Sequence, residues 1–545
     1  MKISFKILAL GALVLSATGC ENFIDINENP NAATAVTPDA ILAQALAATA
    51  ANYTGGPGVA GGQNYNSYTS FAAGYWGKSG GVSGFGEERT YNYSTSYNAT
   101  LFVNTYDNLN DYQLIQQNAA LYPNHAAIAR IMKAYNFLLL VDEWGDIPYT
   151  QALQGATETT PAYDDDVAIY ADLLVQLTGA IADINAVATD ATARTVGTED
   201  IVFNGNMTKW KQFANSLKLR ILMRQSQTPN ASPSVTTQLL ALQTAPDGFI
   251  TADVVAQPGY AQSSNQQNPF YTRYGLTAAG TAAGDRAFIL PTNYIINQYK
   301  DNNDPRLTQL YGQGTKLVND VATPGYYGTD LGEANPPAVT GNNISSRFLL
   351  NGGLLKGASA PTVLMLLSEQ LFLEAEAETR GLFGGGESAA KQDYLDGIKA
   401  SFMQFYRTAG TDIRPARTGD VPATATIAGA VASTPGVAQY NTYITANATN
   451  PLVNYDLAPT NGSSLRKQSV IIYQKYLAEN TIASTEAWAD FRRTGQPKFT
   501  VSREAATPGR LPKRLLYPLS EINTNNDNLP QGVDQYTPVF WDVVD

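Results

Sequence analysis

Cys20 is the only cysteine in 545 residues, so no disulfide within the chain can hold its fold together, and the architecture must rest on packing and hydrogen bonding. The surroundings of that cysteine add a second constraint. Lys2 and Lys6 give a positive start, residues 7–15 form an apolar run too short to span a bilayer, and Ser16, Ala17, Thr18 and Gly19 are small residues suited to a peptidase. Residues 1–19 therefore read as an export leader that ends where the lone thiol begins. Residues 20–36 contain the polar run Glu21 to Asn31, show no helical period and read as an extended tether, which leaves residues 37–545 as a single folded domain. No later apolar run reads as a membrane span.

Charge and rare residues exclude several classes of function. The formal charge is -12 and the lysines and arginines form no blocks, so the basic face that a nucleic-acid partner needs is missing. A single histidine, His125, removes the basis for His-based metal clusters and for Ser-His-Asp or Cys-His catalysis. Its place in the run Leu121 to His125, ahead of a helix, reads as a surface position. No motif calls for a cofactor or a metal. Tyrosine is abundant, at 31 residues, while charged residues are sparse, a balance suited to exported proteins that contact neutral polar ligands.

Periodicity predicts a mainly α fold. Thr37 is a good N-cap and Pro38 suits the first helical position, with Ile41, Leu42, Ala45 and Leu46 at helical spacing. Further helices are predicted over 99–121, from Pro123 to Glu143, over 170–184 and over 207–224; later ones fall at 364–380, 391–408, 466–478 and 485–494. They come in pairs, the pattern of helical hairpins. Between them lie long excursions rich in Gly, Asn, Ser and Tyr, over 53–98, 246–361 (with one helix near 293–299) and 411–459; loops of this length are functional or disordered, and their aromatic content argues for order. Asp142, Glu143 and Asp146 read as solvated or capping acids at a helix end, because spacing alone does not make an acid and a base. Asp164, Asp165 and Asp166 read as helix N-terminal charge in preference to a calcium loop. In the 207–224 helix the basic residues, Arg220 and Arg224 among them, read as a solvated side. The run Asp301 to Arg306 reads as a turn after a helix.

With these segments in order, the chain resembles the SusD/RagB family of outer-membrane lipoproteins, in its SusD-like branch. Cys20 behind its leader resembles a lipobox, in which the thiol is lipidated and becomes the first residue; Ala17 stands where a leucine is usual. The matching segments are Asp25 to Asn31, Asp142 to Tyr149, Trp210 to Arg224, Asp304 to Leu307, Leu364 to Arg380, Glu486 to Gly495, and Leu515 to Glu521 with Asn523 to Asn528. The resemblance implies tetratricopeptide-like helical hairpins carrying long irregular loop excursions that form the ligand face. It also implies a surface-exposed protein, held to the outer membrane by its lipid, that captures glycans or other oligomeric nutrients and passes them to a SusC-like TonB-dependent transporter. The family is not enzymatic, so the acids and arginines of its motifs are expected to be structural and no catalytic residue is assigned.

The ligand is expected between the loop around Tyr75 and Trp76 and the excursion containing Arg273 and Tyr274, where aromatic rings can stack on the apolar face of a sugar and a guanidinium can satisfy its hydroxyls. Two other functions compete: a surface glycoside hydrolase, for which two carboxylates at a suitable separation suffice, and a non-catalytic lipoprotein that binds peptides or serves as a structural partner of the transporter.

Overall fold

A computed structural model describes residues 37–55, 63–187, 192–228, 233–407, 427, 429–458 and 465–544. The leader of residues 1–19, Cys20 and the tether of residues 20–36 lie outside them. Thr37, in extended conformation, precedes Pro38 at the start of the first described helix, Pro38–Thr54, as its residue types dictate.

The helices pair as their spacing predicts. Pro38–Thr54 packs on Ala99–Gln116, which packs on Pro123–Trp144, then Asp166–Val187, Met207–Gln225 and Pro233–Gln243 follow in succession; Leu367–Thr379 pairs with Gly386–Tyr406, and Leu465–Glu479 with Ser484–Thr494. The result is the mainly α, tetratricopeptide-like hairpin scaffold. The described strands form five two-stranded antiparallel ribbons, all short. Asp166–Val187 is long and apolar enough to cross a membrane, with a mean hydropathy of 1.5, contrary to the sequence reading. It buries one stripe, Ile169, Leu173, Leu177, Ala180 and Ile184, against its neighbours, the pattern of an amphipathic core helix.

The excursions hold more structure than their composition indicates. Asn64 accepts from Ser67 N at 2.9 Å to start the helix Tyr65–Ala72, and Asn268 accepts from Tyr271 N at 2.9 Å to start Pro269–Tyr274. Both are N-caps of helices too short to show a period. The 411–459 segment contains the helix Val437–Ala446. At Asp165, Oδ1 accepts from Val167 N and Ala168 N, the expected helix-start role.

Three readings of charge are corrected by burial. His125 is buried, with Nε2 3.0 Å from Glu199 Oε1, because the helix from Pro123 turns it inward. Asp142 and Glu143 are buried, as are Arg220 and Arg224. They belong to an ion network that closes between helices distant in sequence. Arg220 grips Glu369 with Nε at 2.7 Å and Nη2 at 2.8 Å; Arg224 pairs with Asp142 and Glu486; Arg492 Nη2 lies 3.2 Å from Glu143; and Arg493 reaches Glu376 at 2.5 Å and Asp490 at 2.8 Å. Leu515 N donates to Glu143 O at 2.7 Å and Trp144 Nε1 to Leu516 O at 3.0 Å, tying the 515–521 segment to the same centre. A separate buried pair, Asp304 with Arg306 at 2.6 Å, sits after the helix Asn293–Asp301.

The buried carboxyls dictate a pH response. Burial alone raises a carboxyl pKa; it pushes Glu143 to about 7 against the pull of Arg492, and Glu374 also to about 7. Burial is overridden at Glu376 by Arg493 and at Glu486 by Arg220 and Arg224, which hold both near 2. The depressed pair contributes stability that is present above about pH 4.5 and lost as pH falls toward 2; the raised pair contributes stability that is full below about pH 4.5 and lost as pH climbs through 7. The melting temperature is therefore expected to peak near about pH 5 and decline on both sides. Calorimetry across that range checks it, and a steady rise from acid to neutral pH contradicts it.

Candidate functional site

Two excursions meet through one ribbon. Trp76–Lys78 pairs antiparallel with Ile289–Pro291, with Trp76 opposite Pro291, and Thr292 N donates to Tyr75 O at 2.9 Å. This places the residues chosen from sequence side by side. The Trp76 ring lies 5.1 Å from Tyr274 in edge contact, 5.8 Å from Phe71, 5.8 Å from Phe348 and 6.5 Å from Phe270. The Arg273 guanidinium stands 5.7 Å from the Tyr274 ring centroid and pairs with Asp285.

These rings are packed, not presented. Relative exposure is 0% for Tyr75, 1% for Trp76 and 2% for Tyr274, so none offers a face to a ligand in this structure. Their polar ends are also engaged. Tyr75 stacks on Tyr476 at 4.4 Å and donates to Tyr476 O at 2.6 Å, while Trp76 Nε1 donates to Thr481 Oγ1 at 2.9 Å. Burial is the physical consequence of their size: aromatic rings carry the largest apolar area in the loops and are the first to be packed. Arg273 alone of the four is partly exposed.

Beside this cluster lies a cavity of about 70 Å³ that shares Phe270 and Thr481 with it. Its polar lining includes Asp253, Asn268, Lys356, Gln404 and Arg407. Asp253, the one carboxylate among the described lining residues, is committed: Oδ1 accepts from Leu367 N at 2.8 Å and Oδ2 pairs with Arg407. Lys356 Nζ donates to Gln404 O at 2.5 Å. Thr481 has φ of 69°, a left-handed conformation rare for a β-branched residue, held by Asn66 Nδ2 donating to its carbonyl at 2.5 Å and by its hydroxyl bonds to Trp76 and Asn480. Amides, hydroxyls and aromatic edges of this kind bind polyols by hydrogen bonding and apolar contact. Sequence reading missed the cavity because its walls come from segments near residues 54, 253, 270, 356, 405 and 481, which share no local motif.

A wider hollow of about 390 Å³ opens on the helical scaffold, lined by Gln113, Gln116, Lys133, Tyr149 and Gln176 among others. Burial lowers the Lys133 pKa to about 8, and its ammonium donates to Gln113 at 2.5 Å and Gln116 at 2.8 Å. Among the described residues, Asp146, Asp165 and Asp166 are the one carboxylate trio close enough to share a cation, with oxygens within 4.8 Å of one another. All three already accept main-chain N–H groups, from Asp166, from Val167 and Ala168, and from Phe540 respectively.

Known proteins share this architecture. A family model described as starch-binding, associating with the outer membrane, matches residues 30–518. A solved chitin-binding protein is 23% identical, with a TM-score of 0.68 over 93% of this chain and 100% of its own. A chitin-binding SusD homologue from Flavobacterium johnsoniae is 21% identical, with a TM-score of 0.67 over 92% of this chain and 98% of its own. A SusD/RagB family protein from Bacteroides thetaiotaomicron is 21% identical, with a TM-score of 0.68 over 93% and 99%. At these identities the structural likeness speaks for the fold alone. No curated protein matches the chain.

Proposed function

The chain belongs to the SusD-like family, and from that membership we propose that it is a surface-exposed, lipid-anchored outer-membrane protein that captures glycans without cleaving them and delivers them to a SusC-like TonB-dependent transporter. The observation that carries this reading is the convergence of two aromatic excursions through the Trp76–Lys78 ribbon, beside a polar cavity whose one described carboxylate is locked in a salt bridge. A hydrolase needs an acid free to give or take a proton. Asp253 is not free. In this reading residues 37–545 act as one binding unit. Tyr75, Trp76 and Tyr274 form the packed floor beneath the ligand surface, and Arg273 stands at its edge. The starch and chitin named for its relatives support glycan as the ligand class.

The anchor and the transporter are tested in cells. Cys20→Ala is expected to move the protein from the membrane fraction to the soluble fraction, since acyl chains supply about 0.8 kcal/mol per buried methylene. A variant that stays fully membrane-bound after a salt wash, in cells lacking the transporter, contradicts lipidation at Cys20. Purification of the tagged wild-type protein in mild detergent is expected to bring down a large TonB-dependent barrel, and repeated recovery of the lipoprotein alone counts against that partnership.

A further inference from the structure

Arg286 and Arg347 stand together beside the aromatic cluster, and each reaches across to the main chain beside the other. Arg286 Nη1 donates to Phe348 O at 3.3 Å and to Tyr274 O at 3.2 Å, while Arg347 Nη1 donates to Ala287 O at 2.7 Å. Both are half-buried. The rings of Tyr274 and Phe348, whose carbonyls Arg286 binds, pack against Trp76. From this geometry we infer that the Arg286–Arg347 pair receives an oxyanion carried by the ligand, a uronate carboxylate or a sulfate ester, so that the captured glycan is an acidic one. The inference rests on the glycan-binding reading above and narrows its ligand.

The Arg286–Arg347 pair lacks the countercharge that the buried arginines have. Arg220, Arg224, Arg306, Arg492 and Arg493 are all buried and each faces a carboxylate. Arg286 and Arg347 make no ion pair with any described residue, and the neighbouring Asp285 is taken by Arg273. Burial lowers the pKa of both, and at Arg347 the charge of Arg286 lowers it further, so the two cations repel each other in a setting that screens poorly. Holding three carbonyls requires donors, not charges, and a neutral amide serves as well. Nε and Nη2 of Arg286 have no protein acceptor among the described residues, since its bonds to the main chain run through Nη1, leaving the fork that binds carboxylate and sulfate; Arg347 Nη2 is covered and unpartnered behind it, so Arg347 adds its charge. A bound oxyanion removes the repulsion and fills that fork.

The test is calorimetric titration of the mature protein with oligogalacturonate, a sulfated galactan oligosaccharide, maltohexaose and chitohexaose. One acidic probe is expected to bind more tightly than either neutral one, with affinity falling as salt is raised; which acidic probe binds separates uronate from sulfate. In Arg286→Gln and Arg347→Gln, which keep a donor for the carbonyls, the preference for that acidic probe is expected to shrink by about tenfold or more, the size of one or two charge-assisted hydrogen bonds. Lysine in place of Arg286, keeping charge but losing the fork, is expected to give an intermediate loss. Neutral probes binding as tightly as acidic ones, without salt dependence, overturn the inference and leave the glycan-binding reading standing, a result read on wild-type protein even if a variant misfolds. Binding of no probe overturns both.

Discussion

Arg224→Ala is expected to lower stability by about 3–5 kcal/mol, the cost of breaking a buried ion pair and stranding its partners. Arg224 is 4% exposed and stands between Asp142 and Glu486. Its removal leaves two buried carboxylates facing each other, with Glu486 still touched by Arg220 at 3.4 Å but Asp142 left with the Tyr170 hydroxyl. The same position links three segments, the end of Pro123–Trp144, the end of Met207–Gln225 and the start of Ser484–Thr494. Loss of the cation therefore loosens the joint between the N-terminal and C-terminal hairpins. Chemical denaturation measures the effect, and a loss below about 1 kcal/mol, the level of an exposed pair, contradicts the account of the network as a structural joint.

Trp76→Ala is expected to cost about 3–5 kcal/mol, the range for truncating a buried aromatic. Four rings lose their central contact, and Thr481, already in a left-handed conformation, loses the indole N–H that its hydroxyl accepts. Trp76→Phe keeps a ring but not that bond, so its loss is expected to be smaller. Denaturant unfolding of both variants checks the order. A Trp76→Ala variant as stable as wild type but unable to bind ligand contradicts the packed-floor role and makes the ring a stacking platform.

Much of the helical scaffold was legible because its signals are local. Thr37 with Pro38 starts a helix, Asp165 lies at the start of another, and an apolar stripe such as Leu42, Ala45 and Leu46 marks a buried face. The meeting of Trp76 with Tyr274 was also legible, from aromatic density in two excursions. What was hidden depends on distant partners. Arg220 and Arg224 look solvated on a helical wheel, and only Glu369, Asp142 and Glu486 arriving from elsewhere make their burial tolerable. His125 is hidden for the same reason, its partner Glu199 lying 74 residues away. The cavity wall at Asp253, Lys356 and Arg407, and the arginine pair, follow from loop paths that no period encodes.

The central claim is that this chain binds glycan and leaves it intact. The most direct measurement incubates the pure mature protein with a panel of defined oligosaccharides and follows bound ligand and new reducing ends in the same samples. Saturable binding of at least one oligosaccharide with no new reducing ends is the predicted result; reducing ends that accumulate with protein and time, or binding of none, contradict it.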